Sequence, residues 1–327
     1  MTQKSRRLPT TDLYFRYACA DYLDHWWRHG PLKKRGENCY THGDCMVLIR
    51  QDSDKIMQAA LDWPGRLAYV VDDDIAGAAT SPQLPPNYRD RLAGFDHSFH
   101  QALVQRADRL LVSSDALAQI FAHHRHVQRL DPCWNLALAN QNHYAPFTPR
   151  HPLRLIHLGS ASHNEGLSGI IPVINALLDR DNLVEFTYFS RDILDQTLEI
   201  HPRARRLRPK SWPNYRRWIA HQRYHLALYP LGHAKFDQAR SCNKLHEHGI
   251  IGAVGIYPEG WQARHLLDGH AFTAPDDPSD WADTLETAIA MRDQLPDIAK
   301  NAAQSLSRHN HLSMQRQIWC DFFGLHI

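Results

Sequence analysis

Ser241, Lys244 and Glu247 stand three residues apart in the stretch HLALYPLGHAKFDQARSCNKLHEHGIIGAVGIYPE, residues 225–259. The spacing predicts a short helix with Lys244 and Glu247 as an i,i+3 pair on one face and Ser241 near its N-terminus. A helix N-terminus presents free N–H groups and partial positive charge, which suits a diphosphate. A carboxylate one turn later can accept both hydroxyls of a ribose diol, and a lysine adds a mobile charge for phosphate oxygens. The competing reading is a solvated helix carrying an ordinary Lys/Glu pair.

Other residue groups could also do chemistry. Asp72, Asp73 and Asp74 follow an apolar run, where Asp73 could orient a hydroxyl or cap the next helix. The same triplet contains a D-x-D pattern that could hold a divalent cation through carboxylates, although a single metal-dependent domain would leave the second half of the chain unexplained. Gly159, Ser160 and His163 lie in a glycine- and serine-rich turn, and His163 could donate to phosphate or sugar oxygens or cap the helix that follows. Cys39, His42, Asp44 and Cys45 offer four zinc-type ligands, but with no second separated pair the metal reading is the weaker one. His123 to His126 reads as an exposed helix end, and Trp26-Trp27 and Ile318-Trp319 as core or domain-packing residues.

The elements that must position these residues alternate. CMVLIR (45–50), LAYVV (67–71) and Arg109–Ser113 read as buried parallel strands, with a helical pattern over Ser53–Asp62, another over about 95–107, and a third over Asp115–His123 capped by Ser114. Residues 80–94 read as a surface loop. The proline-rich tract Pro132–Pro152 is the candidate domain boundary. Strand and helix patterns then restart: LRLIHL (153–158), a helix over 166–180, LVEFTYF (183–189), HLALYPL (225–231) and IGAVGI (251–256), with two helices in 279–308. This predicts two doubly wound α/β domains, 1–148 and 149–308, with 309–327 packing back on the first and ligands in the cleft between them.

The run Ala227-Leu-Tyr-Pro230-Leu231, Phe236, Ser241, Lys244, Glu247, Gly249 and Ile250–Ile256 resembles the retaining family 4 glycosyltransferases, especially bacterial members that build surface polysaccharides. LAYVVDDDIAG (67–77), ADRLLVSSDALAQIF (107–121) and HLGSASHNEGL (157–167) are similar to three further segments of that family, in the same order. The resemblance implies a GT-B fold of two Rossmann-like domains. It implies that Glu247 holds the donor ribose, that Ser241 and Lys244 lie near the diphosphate, and that Gly159, Ser160 and His163 form the turn opening the second domain. Gly249 would end the helix in left-handed conformation. The chain departs from the pattern at Val70 and Gly166, where the family has aspartates, and at Ala239, where many members carry a glutamate. Asp237 and His233 are the nearest polar substitutes.

Composition bounds the reading. The 327 residues suit two domains of about 150 residues each. A net charge of +2 gives no footprint for nucleic acid. No apolar run approaches the roughly 20 residues that span a bilayer, and MTQKSRRLPTTD has no apolar core of a signal peptide. Six scattered cysteines read as reduced thiols. The expectation is a cytoplasmic enzyme, working in part at the inner face of the membrane. It would move a sugar from a UDP- or GDP-sugar to a hydroxyl of a glycan or lipid-linked acceptor, with no metal or further cofactor required. The rivals are a degenerate transferase-like scaffold, to which Ala239 and Gly166 point, and a nucleotide-sugar epimerase on the same fold.

Overall fold

The apolar runs form strands buried on both faces in the structure, a computed structural model that describes residues 6–145, 150–159, 164–232, 234–309 and 311–326. The chain divides into two units. Residues up to Asn135, with Ala239–Cys242 and the stretch after residue 310, make the first; Leu136–Gln238 and Asn243–His309 make the second.

The first unit has a six-stranded sheet in the order β1 to β6: Lys33–Lys34, Cys39–His42, Cys45–Ile49, Arg66–Val71, Arg109–Val112 and Val127–Arg129. β1, β2 and β3 pair antiparallel, and β3 to β6 pair parallel. Strand residues alternate between faces, so Met46, Leu48, Leu67, Tyr69 and Val71 meet Met57 and Leu103 on one side, while Val47, Ile49, Ala68 and Val70 are equally buried on the other. The C-terminal helix His311–Phe323 joins this unit: the Trp319 Nε1–H donates to the Tyr14 carbonyl at 2.9 Å and its ring meets Phe15 edge-on.

Two expectations change here, for residues 80–94 and for Trp26-Trp27. Residues 80–94 are not a loop throughout, because Pro86 starts a helix, Pro86–Phe95. A proline at the first helical position loses no hydrogen bond and has its φ preset, so the prolines punctuate a helix start. Cys39 and Cys45 lie in the β2–β3 hairpin with both thiols buried, and no metal-type cluster occurs among the described residues. Trp26 and Trp27 are not core: they are 90% and 63% exposed.

The second unit has six parallel strands in the order β12-β11-β10-β7-β8-β9. These are β7 Leu153–His157, β8 Val184–Phe189, β9 Ala204–Leu207, β10 Leu226–Leu228, β11 Val254–Pro258 and β12 Phe272–Ala274. Helix Asn164–Arg180 buries Leu167, Ile170, Ile174 and Leu178 against the sheet, beside Trp281 and Leu285. The strand order reverses between β7 and β10. In an open parallel sheet that reversal splays the connections apart and leaves a crevice beyond the carboxyl ends of those two strands. The segments at that point are Leu158–Gly159 and Tyr229–Gly232. No described helix is long and apolar enough to cross a membrane.

Candidate active site

Glu247 sits on helix Asn243–Ile251, just before β11. The helix starts at Asn243, so Ser241 precedes it instead of riding on its face, and the Ala239–Cys242 segment belongs to the first unit. Gly249 does not end this helix. Gly252 does, at φ +71°, with the Gly252 N–H donating to the Gly249 carbonyl at 3.1 Å and the Ala253 N–H to the His248 carbonyl at 3.0 Å. That is a Schellman termination, and it carries the helix three residues past the expected stop. Gly249 is small for packing: an added Cβ would lie 2.9 Å from a Leu138 methyl.

The Lys244–Glu247 pair is not a solvated one. Glu247 is 4% exposed, and its Oε2 meets the Lys244 ammonium at 2.6 Å. The Tyr215 hydroxyl donates to the same oxygen at 2.8 Å, and Asn243 Nδ2 donates to Oε1 at 2.9 Å. Tyr215 comes from helix Trp212–Ala220, where Trp212, Tyr215 and Trp218 stack at i,i+3 spacing and Phe189 from β8 meets Trp218 edge-on. Burial, with the Glu247 charge added, pushes the Tyr215 phenol well above its ordinary value and keeps it a donor. Tyr215 and Asn243 escaped the sequence reading. Asn243 is an i,i+4 neighbour that the helical spacing could have shown, whereas nothing local links Tyr215 to a carboxylate 32 positions away.

The turn after β7 lies at the same end of the sheet. His157, the last residue of β7, places its ring beneath Gly159, where an added Cβ would fall 2.1 Å from Cε1. Gly159 is therefore the residue that lets the ring and the turn coexist. Burial, and then the nearby Lys244 charge, push the His157 imidazole down to about 3, so it is neutral across the physiological range. Ser160 and His163 lie outside the described residues, as does His233.

After the turn, helix Asn164–Arg180 packs its first turn against the backbone at Pro230. A Cβ on Gly166 would stand 2.3 Å from the Pro230 carbonyl oxygen and 2.7 Å from its carbon. No larger side chain, an aspartate included, fits there without a shift of the backbone. Gly166→Ala is expected to destabilise the protein by about 2 kcal/mol, through overpacking against rigid backbone. A urea midpoint unchanged from the wild type would refute that. The acidic groups present are Glu165 and Asp237. Their carboxylates converge on Gly232, where an added Cβ would meet Glu165 Oε2 at 2.4 Å and Asp237 Oδ2 at 2.9 Å. Asp237 is buried, and Glu165 was not singled out from the sequence. Ala239 cannot host the missing glutamate. It is fully buried in the core of the first unit, and its carbonyl accepts from Ser114 Oγ at 2.7 Å.

In the first unit the three aspartates divide their tasks. Asp74 Oδ1 accepts from the Gly77 N–H at 2.9 Å and caps helix Ile75–Thr80. Arg50 Nη1 bridges Asp72 Oδ1 at 3.1 Å and Asp73 Oδ2 at 2.7 Å, and Arg240 approaches Asp73 Oδ1 at 3.4 Å. Asp72 is thus held by an arginine and Asp74 by a backbone N–H. Arg50 adopts φ +58° because its N–H is held by the Val70 carbonyl and its carbonyl by the Tyr69 hydroxyl. That strain aims the guanidinium at the aspartates. Burial raises the Asp72 carboxyl, with Arg50 opposing and Asp73 adding to the rise. Ser241 lies in this unit near the buried hydroxyl of Tyr14, which burial holds well above its ordinary value.

No family model matches the chain, and no curated protein matches it in sequence. Solved structures do match in three dimensions. WaaG, a glycosyltransferase involved in lipopolysaccharide biosynthesis, aligns over 82% of this chain and 81% of its own, at 13% identity and TM-score 0.58. Anabaena HepE, in complex with UDP and glucose, aligns over 85% and 77%, at 13% identity and TM-score 0.56. The alpha,alpha-trehalose 6-phosphate synthase of Burkholderia multivorans aligns over 85% and 69%, at 13% identity and TM-score 0.52. At such identities the likeness is one of backbone arrangement, and on that ground the chain has the GT-B fold.

Proposed function

We propose that this protein is a glycosyltransferase that moves a sugar from a nucleoside-diphosphate sugar to a hydroxyl of a glycan or lipid-linked acceptor. The observation that carries the reading is the buried Lys244–Glu247 pair beside the strand-order reversal of the second sheet. Glu247 would accept the ribose hydroxyls and Lys244 would meet the diphosphate, charge against charge. Glu165 and Asp237 would face the sugar in place of the glutamate that Ala239 lacks. Asp73, flanked by Arg50 and Arg240, would orient the acceptor hydroxyl as a hydrogen-bond acceptor instead of serving as a strong base. A retaining outcome suits this set, because the departing phosphate can itself take the acceptor proton. The reading requires no metal. It is supported by the fold shared with WaaG and by HepE, which is held with UDP and glucose. Surface-polysaccharide synthesis in the cytoplasm, at the inner face of a membrane, is the setting it implies.

Calorimetry against a panel of UDP- and GDP-sugars tests this, with transfer and donor hydrolysis followed in parallel. Saturable binding that Glu247→Ala weakens by about a hundredfold is expected, and no binding of any nucleotide sugar by the wild type ends the proposal. Ala239 favours a second reading, a binding protein that has lost turnover. Binding without transfer to any acceptor selects it.

A further inference from the structure

Turn chemistry favours glycine, asparagine, aspartate and proline at exposed tips. Trp26 and Trp27 break that preference. They are the two central residues of a turn closed by paired backbone bonds, His25 N–H to the Arg28 carbonyl at 2.7 Å and the Arg28 N–H to the His25 carbonyl at 3.1 Å. Both indoles project into solvent, Trp26 edge-on to Trp27 at 5.2 Å and Trp27 stacked on the His25 ring at 4.7 Å.

The turn is anchored and not frayed. Leu23 and Leu32 at its base are buried, the Asp24 N–H donates to the Leu32 carbonyl, and the Leu32 N–H donates to the Tyr22 carbonyl. Gly30 passes so close to the opposing segment that a Cβ would lie 2.3 Å from the Tyr22 carbonyl oxygen. The scaffold holds two large apolar side chains where water costs them most.

Charge identifies what covers them. The segment HWWRHGPLKKR, residues 25–35, contains Arg28, Lys33, Lys34 and Arg35 and no carboxylate. Its acidic neighbours are Asp21, Asp24 and Glu37, which pair with Arg28, Lys33 and Lys34; Arg316 from the C-terminal helix also meets Asp21, at 2.7 Å. The surroundings stay net cationic, five cations to three carboxylates. Indole rings sit at the boundary between headgroups and acyl chains, and lysine and arginine gain from anionic headgroups beside them.

We infer that the Trp26–Trp27 turn and its basic flank are a docking surface for an anionic lipid bilayer, the indoles entering the interface and the cations facing the headgroups. The inference stands on this turn alone, independent of the transferase reading.

Co-sedimentation of the full chain with vesicles tests it, using phosphatidylglycerol mixed with phosphatidylethanolamine against phosphatidylcholine alone. Binding to the anionic vesicles is expected, with a blue shift of tryptophan emission. Binding should weaken by about tenfold or more in Trp26→Ser/Trp27→Ser and in Lys33→Glu/Lys34→Glu, and fall with salt. All four side chains are on the surface, so unchanged thermal melts certify the fold of each variant. Failure of the wild type to bind anionic vesicles overturns the inference. So does equal binding by the tryptophan variant, or a wild type that instead dimerises or binds a soluble glycan through these tryptophans.

Discussion

Between pH 6.5 and pH 4.5 the second unit is expected to lose about 5 kcal/mol of folding stability through its buried histidines. Burial first, and then neighbouring positive charge, push His157 and His225 down to about 3, against 6.5 for the free side chain. His225 shows the physical reason. Its Nδ1 accepts the Arg154 backbone N–H at 2.8 Å, and a protonated imidazole has no lone pair to accept with. His248 is also held well below its ordinary value, by burial and then by Lys244 and His157.

The sign follows from which state holds more protons. Below 6.5 the unfolded chain protonates these histidines while the folded chain keeps them neutral, so acid favours unfolding. The stabilisation is complete above 6.5 and is lost as pH falls toward the folded values near 3. Each depressed histidine contributes about 1.4 kcal/mol per pH unit inside that window. Two of them over two units give about 5 kcal/mol, comparable with the whole stability of a domain. In the first unit His100, pushed down to about 4 chiefly by burial, adds a smaller slope of the same sign. Urea midpoints measured across this range should fall steeply, with proton uptake on unfolding detected by calorimetry in two buffers. A midpoint that stays level from pH 6.5 to 5 contradicts the prediction, and His225→Asn should make the decline shallower.

What could be read in advance depended on whether a residue's surroundings are local. Continuous apolar runs such as Cys45–Ile49 and Leu153–His157 appear as strands because burial on both faces demands them. β6 (VQR) and β9 (ARRL) went unseen: they are short edge strands with half-exposed residues, and only the neighbouring strand gives them their shape. The tryptophans at 26 and 27 misled because residue type suggested core, while the turn that exposes them is set by backbone pairing at His25 and Arg28. In the candidate site, the i,i+3 spacing of Lys244 and Glu247 was legible and its burial was not. The alanine at 239 was visible in the sequence, but its burial in the core of the first unit was not.

Lys244→Met should weaken binding of the donor's nucleoside diphosphate by roughly tenfold or more, while leaving the bare nucleoside bound as well as before or better. An ionised carboxylate offers about four acceptor positions. Tyr215, Lys244 and Asn243 occupy three on Glu247. Two ribose hydroxyls need two positions, so one resident donor must leave when the diol enters. On the proposed function, Lys244 is the donor with somewhere to go, since the diphosphate would arrive with the ribose and offer it a stronger electrostatic partner. Tyr215 is fixed in its aromatic stack, and its loss in Tyr215→Phe is expected to cost about 1 kcal/mol of stability with little change in affinity. With Lys244 gone, the nucleoside no longer competes with an ammonium for Glu247, but the phosphates lose a charge-assisted hydrogen bond worth about 1.5–3 kcal/mol. Glu247→Ala should weaken nucleoside and diphosphate alike, by about a hundredfold, because the diol contact is common to both. Calorimetric titration of each variant with the two ligands separates these cases. If Lys244→Met lowers nucleoside affinity as much as diphosphate affinity, the lysine only holds Glu247 in place and the exchange between carboxylate and phosphate does not occur.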